Sequence, residues 1–502
     1  MYPSSKKEIT KLRRSARIRN QNLLKRKKEG GDEIKEEKKE EKGFFRYPKD
    51  DIICKSSELL DLKSNEGFIG KGSYGSVRRK EDRVIKTVSL IIGNYEDFMQ
   101  RNLKEACFLS QYSHQLISNI QCIRKPENNS FDLYLKYSGI TLSEVIRKNY
   151  TQISITYILY QLLVLLAQME KLNIVHGDIN PGNIVVEITE PFQVTLIDWG
   201  FVDVTPQFNI NTVGTEGFTA PEIQSVGRHT PLTDMFSLGM VFLFFYTKSY
   251  LKNNEIMKYF VARKPLPGLE KVTDPDLKTI ISNMIELSSQ HRKPASVLLQ
   301  SPLFDSYRNN SALKKLNSVQ FRIREIEQVD PDYVTSIQGV DLETRERLID
   351  RIFEYSEYLS IMPSFSLACY LIDLYLSKQT TINQYRLQLI GMACSYIATV
   401  MMMTNEYNTI QKYMKASGNF YHGIELTETI LFILRELNFI VFKPRFDHSL
   451  GTSDYKIIKA LMLDSKGIGQ SEDYYLKLYT TIKKDKQNVL KYVTIINDDH
   501  LD

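Results

Sequence analysis

Residues 155 to 172, with Tyr160-Gln161-Leu162-Leu163-Val164-Leu165-Leu166 at their centre, are apolar on nearly every side of a helix. Such a helix cannot lie on a surface, so the chain has to build a lobe around it. A loop broken by Pro and Gly follows at once: His176-Gly177-Asp178-Ile179-Asn180-Pro181-Gly182-Asn183. The buried helix then serves as a pedestal for that loop. An Asp followed five residues later by an Asn can hold a hydroxyl and a metal ion a few ångströms apart.

Upstream, Ile69-Gly70-Lys71-Gly72-Ser73-Tyr74-Gly75-Ser76-Val77 carries a GxGxxG pattern. Three glycines at that spacing also occur in flexible turns, so their context decides. Val77 starts a β-rich run that turns at Lys80-Glu81-Asp82 and returns as Arg83 to Val88, which predicts an antiparallel hairpin. A dinucleotide fold would instead put a helix directly after the glycines. In a hairpin, Gly70, Gly72 and Gly75 let backbone amides approach phosphates, and Lys86 on the returning strand is a point charge for them. Lys86 needs a carboxylate to orient it, and the helical stretch 98 to 109 offers Glu105, with Glu96 in reserve. A second run, Phe131 to Tyr137, should cross between two lobes as an extended hinge ending at Ser138-Gly139, with Leu135 and Tyr137 beside a nucleotide base.

These motifs continue as Leu196-Ile197-Asp198-Trp199-Gly200, then Gly214-Thr215-Glu216-Gly217-Phe218-Thr219-Ala220-Pro221-Glu222, then Asp234-Met235-Phe236-Ser237-Leu238-Gly239, and finally Arg292 before Pro302-Leu303-Phe304. In order and spacing they resemble the eukaryotic protein-kinase set over residues 62–306. The resemblance implies a two-lobed α+β fold, ATP and Mg²⁺ as cofactors, and a serine or threonine of a protein as substrate. It implies Asp178 as the catalytic base, Asn183 and Asp198 as metal ligands, Lys86 paired to Glu105 on the α- and β-phosphates, and Val77 in the nucleotide pocket. Thr215 resembles the residue that braces the catalytic Asp, Glu222 and Arg292 should form an ion pair, and Asp234 should cap the catalytic loop.

Two positions leave the pattern. Gly177 replaces the Arg that reads a phosphorylated activation segment, so control by that phosphate is not expected. Asn180 replaces a Lys; its amide could donate to the γ-phosphate but supplies no charge. Trp199, the only Trp in the chain, stands in the Phe place of Asp-Phe-Gly.

From Thr335 onward long helical patterns replace strands: 345–359, 365–377, 383–402 and 426–439. Their residues resemble successive helices of a cyclin box, with Arg345 and Asp373 at the box's internal Arg and Asp. The kinase-contacting Lys and Glu of that family fall at Val400 and Ile430, which suits a permanent intramolecular surface. An all-α cyclin-like domain over 335–445 is therefore expected behind the kinase fold, with accessory helices over 446–502. Such fusions resemble kinase proteins of large DNA viruses.

Charge bears on the tail. Residues 1–28 carry +10 of a chain whose net charge is +6, so the remainder stands at −4. Residues 1–43 are expected as a disordered basic, then acidic-mixed, tail, and nucleic acid contact is expected only there. Two basic clusters, Lys11 to Arg14 and Lys25 to Lys28, look like a bipartite nuclear signal, giving an intracellular, nuclear or cytoplasmic expectation. The five cysteines show no CxxC pair and are expected as free thiols. Uninterrupted apolar stretches such as Met240 to Tyr246 stay short of the roughly 18 to 20 residues of a membrane span, and no membrane partner or secretory signal is expected. Two alternatives remain: a weak or inactive nucleotide-binding scaffold, supported by Asn180, and a small-molecule phosphotransferase, which also opens its loop with His-Gly-Asp.

Overall fold

Glu81 adopts a left-handed backbone (φ 54°) and closes the hairpin expected between Val77 and Val88. Strands β1 (Phe68–Gly72), β2 (Gly75–Lys80) and β3 (Arg83–Ser89) pair antiparallel, then join β6 (Ser130–Lys136) and β5 (Ile120–Glu127) in one sheet of order β1-β2-β3-β6-β5. No helix follows the glycines: Gly70 faces Val77 and Gly72 faces Gly75 across the hairpin. In register, Val77 opposes Lys86 and Lys86 opposes Leu133, so these side chains share one face of the sheet. Helix α1 (Glu96–Gln111) covers the sheet and leads into the short strand β4 (Tyr112–Ser113).

The structure, a computed structural model, describes residues 68–442 except 73–74, 90–95, 128–129, 151–153, 190–191, 205–213, 228, 311–312, 314–317 and 403–408, together with residue 459. The expected N-terminal tail and nearly all of the accessory segment 446–502 lie outside the described residues. Every described residue belongs to one compact unit, Lys49–Asp502.

Below the hinge, α2 (Ile155–Leu172) is the apolar run itself. Ser154 caps its start by accepting from the Tyr157 amide, and Asn173 ends it in a left-handed turn. By length and composition this helix could cross a bilayer, but 61% of it is buried inside the protein. It packs beside α3 (Pro231–Thr247), whose residues from Thr233 to Leu243 are all buried. A small sheet of β7 (Ile140–Thr141), β8 (Ile184–Val186) and β9 (Val194–Leu196) brackets the loop that leaves α2.

The chain then crosses back. Strand β10 (Arg322–Ile323) pairs antiparallel with β4, a short helical turn follows at Tyr333–Ser336, and the longer helices described beyond it are α4 (Leu342–Tyr358), α5 (Phe365–Ser377), α6 (Gln384–Met402), α7 (Ile410–Ala416) and α8 (Gly423–Glu436). Helix α5 is buried from Phe365 to Leu376 and forms the centre of this domain. Gly391 on α6 lets the helices touch, since a Cβ there would meet Leu348 Cδ1 at 2.7 Å. Arg345 and Asp373 form a bidentate buried pair, with Nε–Oδ1 at 2.8 Å and Nη2–Oδ2 at 2.7 Å. Helix α6 also packs on α1, and Val400 and Ile430 are both buried. Cys107, Cys369 and Cys394 are buried free thiols, whereas Cys122 is disulfide-bonded, a correction to the expectation of free thiols throughout.

Candidate active site

The loop after α2 is held from beneath. Asp234, in the first turn of α3, accepts from the His176 amide at 2.6 Å and the Gly177 amide at 3.0 Å. Burial pushes its carboxyl up to about 7, against the pull of those two amides. Gly177 has φ +81°, and a Cβ there would lie 2.9 Å from the Phe201 carbonyl, so the residue that replaces the expected Arg fits a tight left-handed turn. His176 is fully buried. Its Nδ1 accepts from the Asp178 amide (3.2 Å), which leaves the proton on Nε2 to donate to the Ile197 carbonyl (3.0 Å). Burial lowers its pKa and keeps the ring neutral.

On this base the loop presents Asp178. Its Oδ1 accepts from the Thr215 amide (2.8 Å) and hydroxyl (2.7 Å), and its Oδ2 accepts from Asn183 Nδ2 (3.0 Å). Asn180 takes a different place from the one its spacing suggested. Its two Nδ2 protons go to the Asp178 carbonyl (3.2 Å) and Thr215 Oγ1 (3.0 Å), and its Oδ1 accepts from the Gly182 amide (2.8 Å). Both donors are spent, one within the loop and one on Thr215, so the amide has no proton left for a phosphate. Because Thr215 Oγ1 accepts from Asn180, its own proton is directed at Asp178.

Across the cleft, Lys86 Nζ bonds Glu105 Oε2 and lies 3.4 Å from Asp198 Oδ1. Burial alone would lower this ammonium, but the Asp198 and Glu105 carboxylates outweigh it and hold it above its usual range. Glu105 is thus the partner of Lys86, and its other oxygen accepts from the Trp199 amide (3.3 Å). Trp199 is fully buried, stacked on Phe108 (4.5 Å between centroids) and edge-on to His176 (4.7 Å). Leu135 is buried on β6 opposite Val84, and the Tyr137 amide donates to the Asp82 carbonyl (2.7 Å), so that donor is not open to a base. The Tyr137 ring lies under the Arg79 guanidinium at 3.5 Å.

Further down, Arg292 holds Glu222 with Nη1–Oε1 at 2.5 Å and Nη2–Oε2 at 3.1 Å. The segment between Asp198 and this pair carries Thr215, and its Gly217 amide donates to Asn253 Oδ1 (2.8 Å).

A model of the protein kinase domain matches residues 64–304, and a model of the cyclin N-terminal domain matches residues 318–441. The chain carries a protein kinase domain followed by a cyclin N-terminal domain. Its kinase half is similar to mitogen-activated protein kinase 13 of Homo sapiens, 24% identical over 53% of this chain and 84% of that protein. It is also 25% identical to serine/threonine-protein kinase D3 of Mus musculus and 28% identical to serine/threonine-protein kinase TAO1-B of Xenopus laevis, over 51% of this chain in each case. The matched stretch spans 31% of the first of these two and 28% of the second.

Within the kinase domain, Asn183 and Asp198 offer an amide oxygen and a carboxylate side by side at the end of the β8/β9 pair, where the Ile197 amide donates to the Asn183 carbonyl (2.9 Å). Among the described residues no group of three or more His, Cys, Asp or Glu could hold a metal alone. That donor set fits Mg²⁺, which binds through few protein oxygens and completes its shell with phosphates and water. A permanent surface between the kinase and cyclin domains was expected from sequence, but the residues that clasp them were not. The clasp joins Gln111, His114, Phe321 and Phe442, none of which sits in a recognisable spacing.

Proposed function

We propose that this chain is a serine/threonine protein kinase that transfers the γ-phosphoryl group of ATP to a protein hydroxyl, with its cyclin domain acting in cis. The observation that carries the proposal is the adjacency of two clusters: Lys86, Glu105 and Asp198 in one, Asp178, Asn183 and Thr215 in the other, joined where the Ile197 amide donates to the Asn183 carbonyl (2.9 Å). Phosphoryl transfer needs positioning and charge neutralisation more than covalent chemistry. Lys86 would hold the α- and β-phosphates, and amides of the Gly70–Gly75 hairpin would cover them. Asp178 would orient the substrate hydroxyl and take its proton, its lone pairs fixed by Thr215 and Asn183. Mg²⁺, when bound by Asn183 and Asp198, supplies the charge that neutralises the phosphates.

Asn180 bears on rate. With no cation at that position and both amide protons spent, the γ-phosphate loses one stabilising contact, which favours a slow kinase. A protein rather than a metabolite substrate is supported by the Thr215 to Glu222 segment, fastened by Asn253 and Arg292, which would line a peptide groove. Nuclear or cytoplasmic residence belongs to the same proposal, with the basic clusters at 11–14 and 25–28 as the address. A reporter fused to residues 1–43 that stays evenly distributed in a cell would remove that part.

The deciding experiment is ATP turnover on casein by the wild type and by Asp178→Asn. The variant is expected to lose about 10²- to 10⁴-fold in kcat. Equal rates would refute the catalytic assignment, and turnover on a metabolite panel but not on casein would favour a small-molecule phosphotransferase.

A further inference from the structure

The two faces of the kinase-domain sheet are filled differently. On one, Lys86, Leu133 and Ile123 stand in register, and the two apolar residues belong to the main core. On the other, one step along each strand, Arg78, Ile85, Tyr134 and Cys122 stand in register across β2, β3, β6 and β5. Ile85, Tyr134 and Cys122 are buried and form a small apolar cluster of their own, apart from that core. Tyr134 is only 1% exposed, and at the end of the row Arg78 Nε is buried without a hydrogen-bond partner. Something lies over this row.

The cysteines identify it. The chain has five: Cys54, Cys107, Cys122, Cys369 and Cys394. Cys107, Cys369 and Cys394 are free and Cys122 is disulfide-bonded, so the one cysteine left to bond it is Cys54, in the stretch ahead of β1. We propose that a reversible Cys54–Cys122 disulfide straps the chain ahead of β1 over the row from Arg78 to Cys122, on the sheet face away from Lys86, and makes this sheet sensitive to oxidation. Closing the strap consumes one small disulfide such as oxidised glutathione. The two cysteine thiols give up two electrons and two protons and form one S–S bond; the glutathione S–S bond breaks and leaves as two thiols. A dithiol reverses the exchange. Where glutathione keeps thiols reduced the strap stands open, and oxidation closes it. The closed loop, residues 54–122, contains β1, β2, β3 and α1, so the bond restricts the unfolded chain where the folded sheet is already ordered. Ile85 adjoins Lys86 on β3, so loosening the cover over one disturbs the placement of the other.

The bond is independent of the kinase proposal, and only its effect on ATP rests on that reading. Full-length protein is equilibrated with oxidised glutathione or with dithiothreitol, free thiols are blocked with iodoacetamide, and non-reducing digests are read by mass spectrometry. The oxidised sample is expected to yield one linked peptide pair containing Cys54 and Cys122, which dithiothreitol separates, with the other three cysteines unlinked. In brief trypsin digestion of the native protein, cleavage after Lys55 and Lys63 is expected to rise about tenfold on reduction. Cys54→Ser in the oxidising buffer should be cleaved as reduced wild type is. On casein, KM for ATP is expected to rise about threefold on reduction, because contacts made to the bound nucleotide weaken. No linked pair in the oxidised sample, a pair joining other cysteines, or equal cleavage and equal KM in the two buffers would overturn the proposal. Should Cys54→Ser fail to fold, the two states of the wild type decide. A linked pair that protects Lys55 and Lys63, without casein turnover in either buffer, would refute the kinase assignment and leave the strap standing.

Discussion

Two buried ion pairs sit in the two domains, and they are finished differently. In the cyclin domain, Asp373 receives two bonds from Arg345 and a third from the Tyr333 hydroxyl at 2.7 Å. Side-chain exposure is 1% for Arg345 and 5% for Asp373, so water reaches neither. In the kinase domain, Lys86 meets Glu105 but is shared with Asp198, whose side chain is 24% exposed to the cleft. One cluster is closed, its charges cancelled and its lone pairs filled. The other is open, with a cation and a carboxylate still facing the space where phosphates and a metal would go. A buried pair that is saturated braces helices; one left short of partners is available for chemistry.

The largest effects should come from breaking the two pairs in parallel. Arg345→Met leaves Asp373 buried with only Tyr333 and is expected to cost about 3–5 kcal/mol of unfolding free energy. Replacing both residues, Arg345→Met with Asp373→Leu, should recover most of it, because no charge is then stranded. Lys86→Met should instead cut kcat by about 10²- to 10³-fold with a smaller loss of stability. Glu105 can accommodate the change because burial already raises its pKa, so it can take up a proton when its partner is gone. Urea unfolding and casein turnover on the three proteins test this. If Lys86→Met proves as destabilising as Arg345→Met, the distinction between open and closed clusters collapses.

How far each cluster could be read from sequence follows the same division. Lys86, Asp178, Asn183, Asp198 and Thr215 were legible because phosphoryl transfer imposes order and spacing on them, whereas periodicity gave only the helices around Arg345 and Asp373 and the resemblance to a cyclin box singled out the two residues. The helix expected over 365–377 is found at Phe365–Ser377, whereas α7 (Ile410–Ala416) is too short to show a period and was not foreseen. Strands of two residues such as β4 and β10 leave no alternation to detect, so the clasp at Gln111 was invisible. Asn180 was visible as a departure, but where its amide points was not, because whether an amide faces a phosphate or its own loop depends on neighbours, here Thr215 and Gly182, that a spacing does not fix.

An intermediate effect should come from the bond that links loop and segment. Thr215→Val removes the hydroxyl that receives the Asn180 proton and passes its own to Asp178. The Thr215 amide still holds Asp178, so the site should persist with kcat lowered about 10- to 100-fold, the worth of one hydrogen bond to a charged group. Asn180→Ala should reproduce part of that loss by freeing the hydroxyl to rotate, and the double variant should be no worse than Thr215→Val alone. Additive losses in casein turnover would mean that Asn180 acts on the phosphate directly and that the open cluster includes it.

The smallest effect concerns a third kind of buried group, one that must stay neutral. His114 stacks on Phe321 at the domain junction and accepts the Leu116 amide on Nδ1 (3.1 Å). Burial drives its pKa down from 6.5 to about 4, and His229 is driven down to about 4 by burial and by Lys104. Below pH 6.5 the unfolded chain therefore binds protons that the folded one refuses, and stability is lost as pH falls from 6.5 towards 4. Each histidine contributes at most about 1.4 kcal/mol per pH unit in that window. His114→Asn keeps an acceptor for the Leu116 amide but cannot titrate, so its stability should fall less steeply between pH 6.5 and 5 by up to one proton's worth. Urea unfolding of the wild type and the variant at pH 7, 6 and 5 measures the difference in slope. Parallel curves would show that the junction tolerates a charge on His114, which would make it a wet, open contact like the kinase cleft instead of a closed one like Arg345 and Asp373.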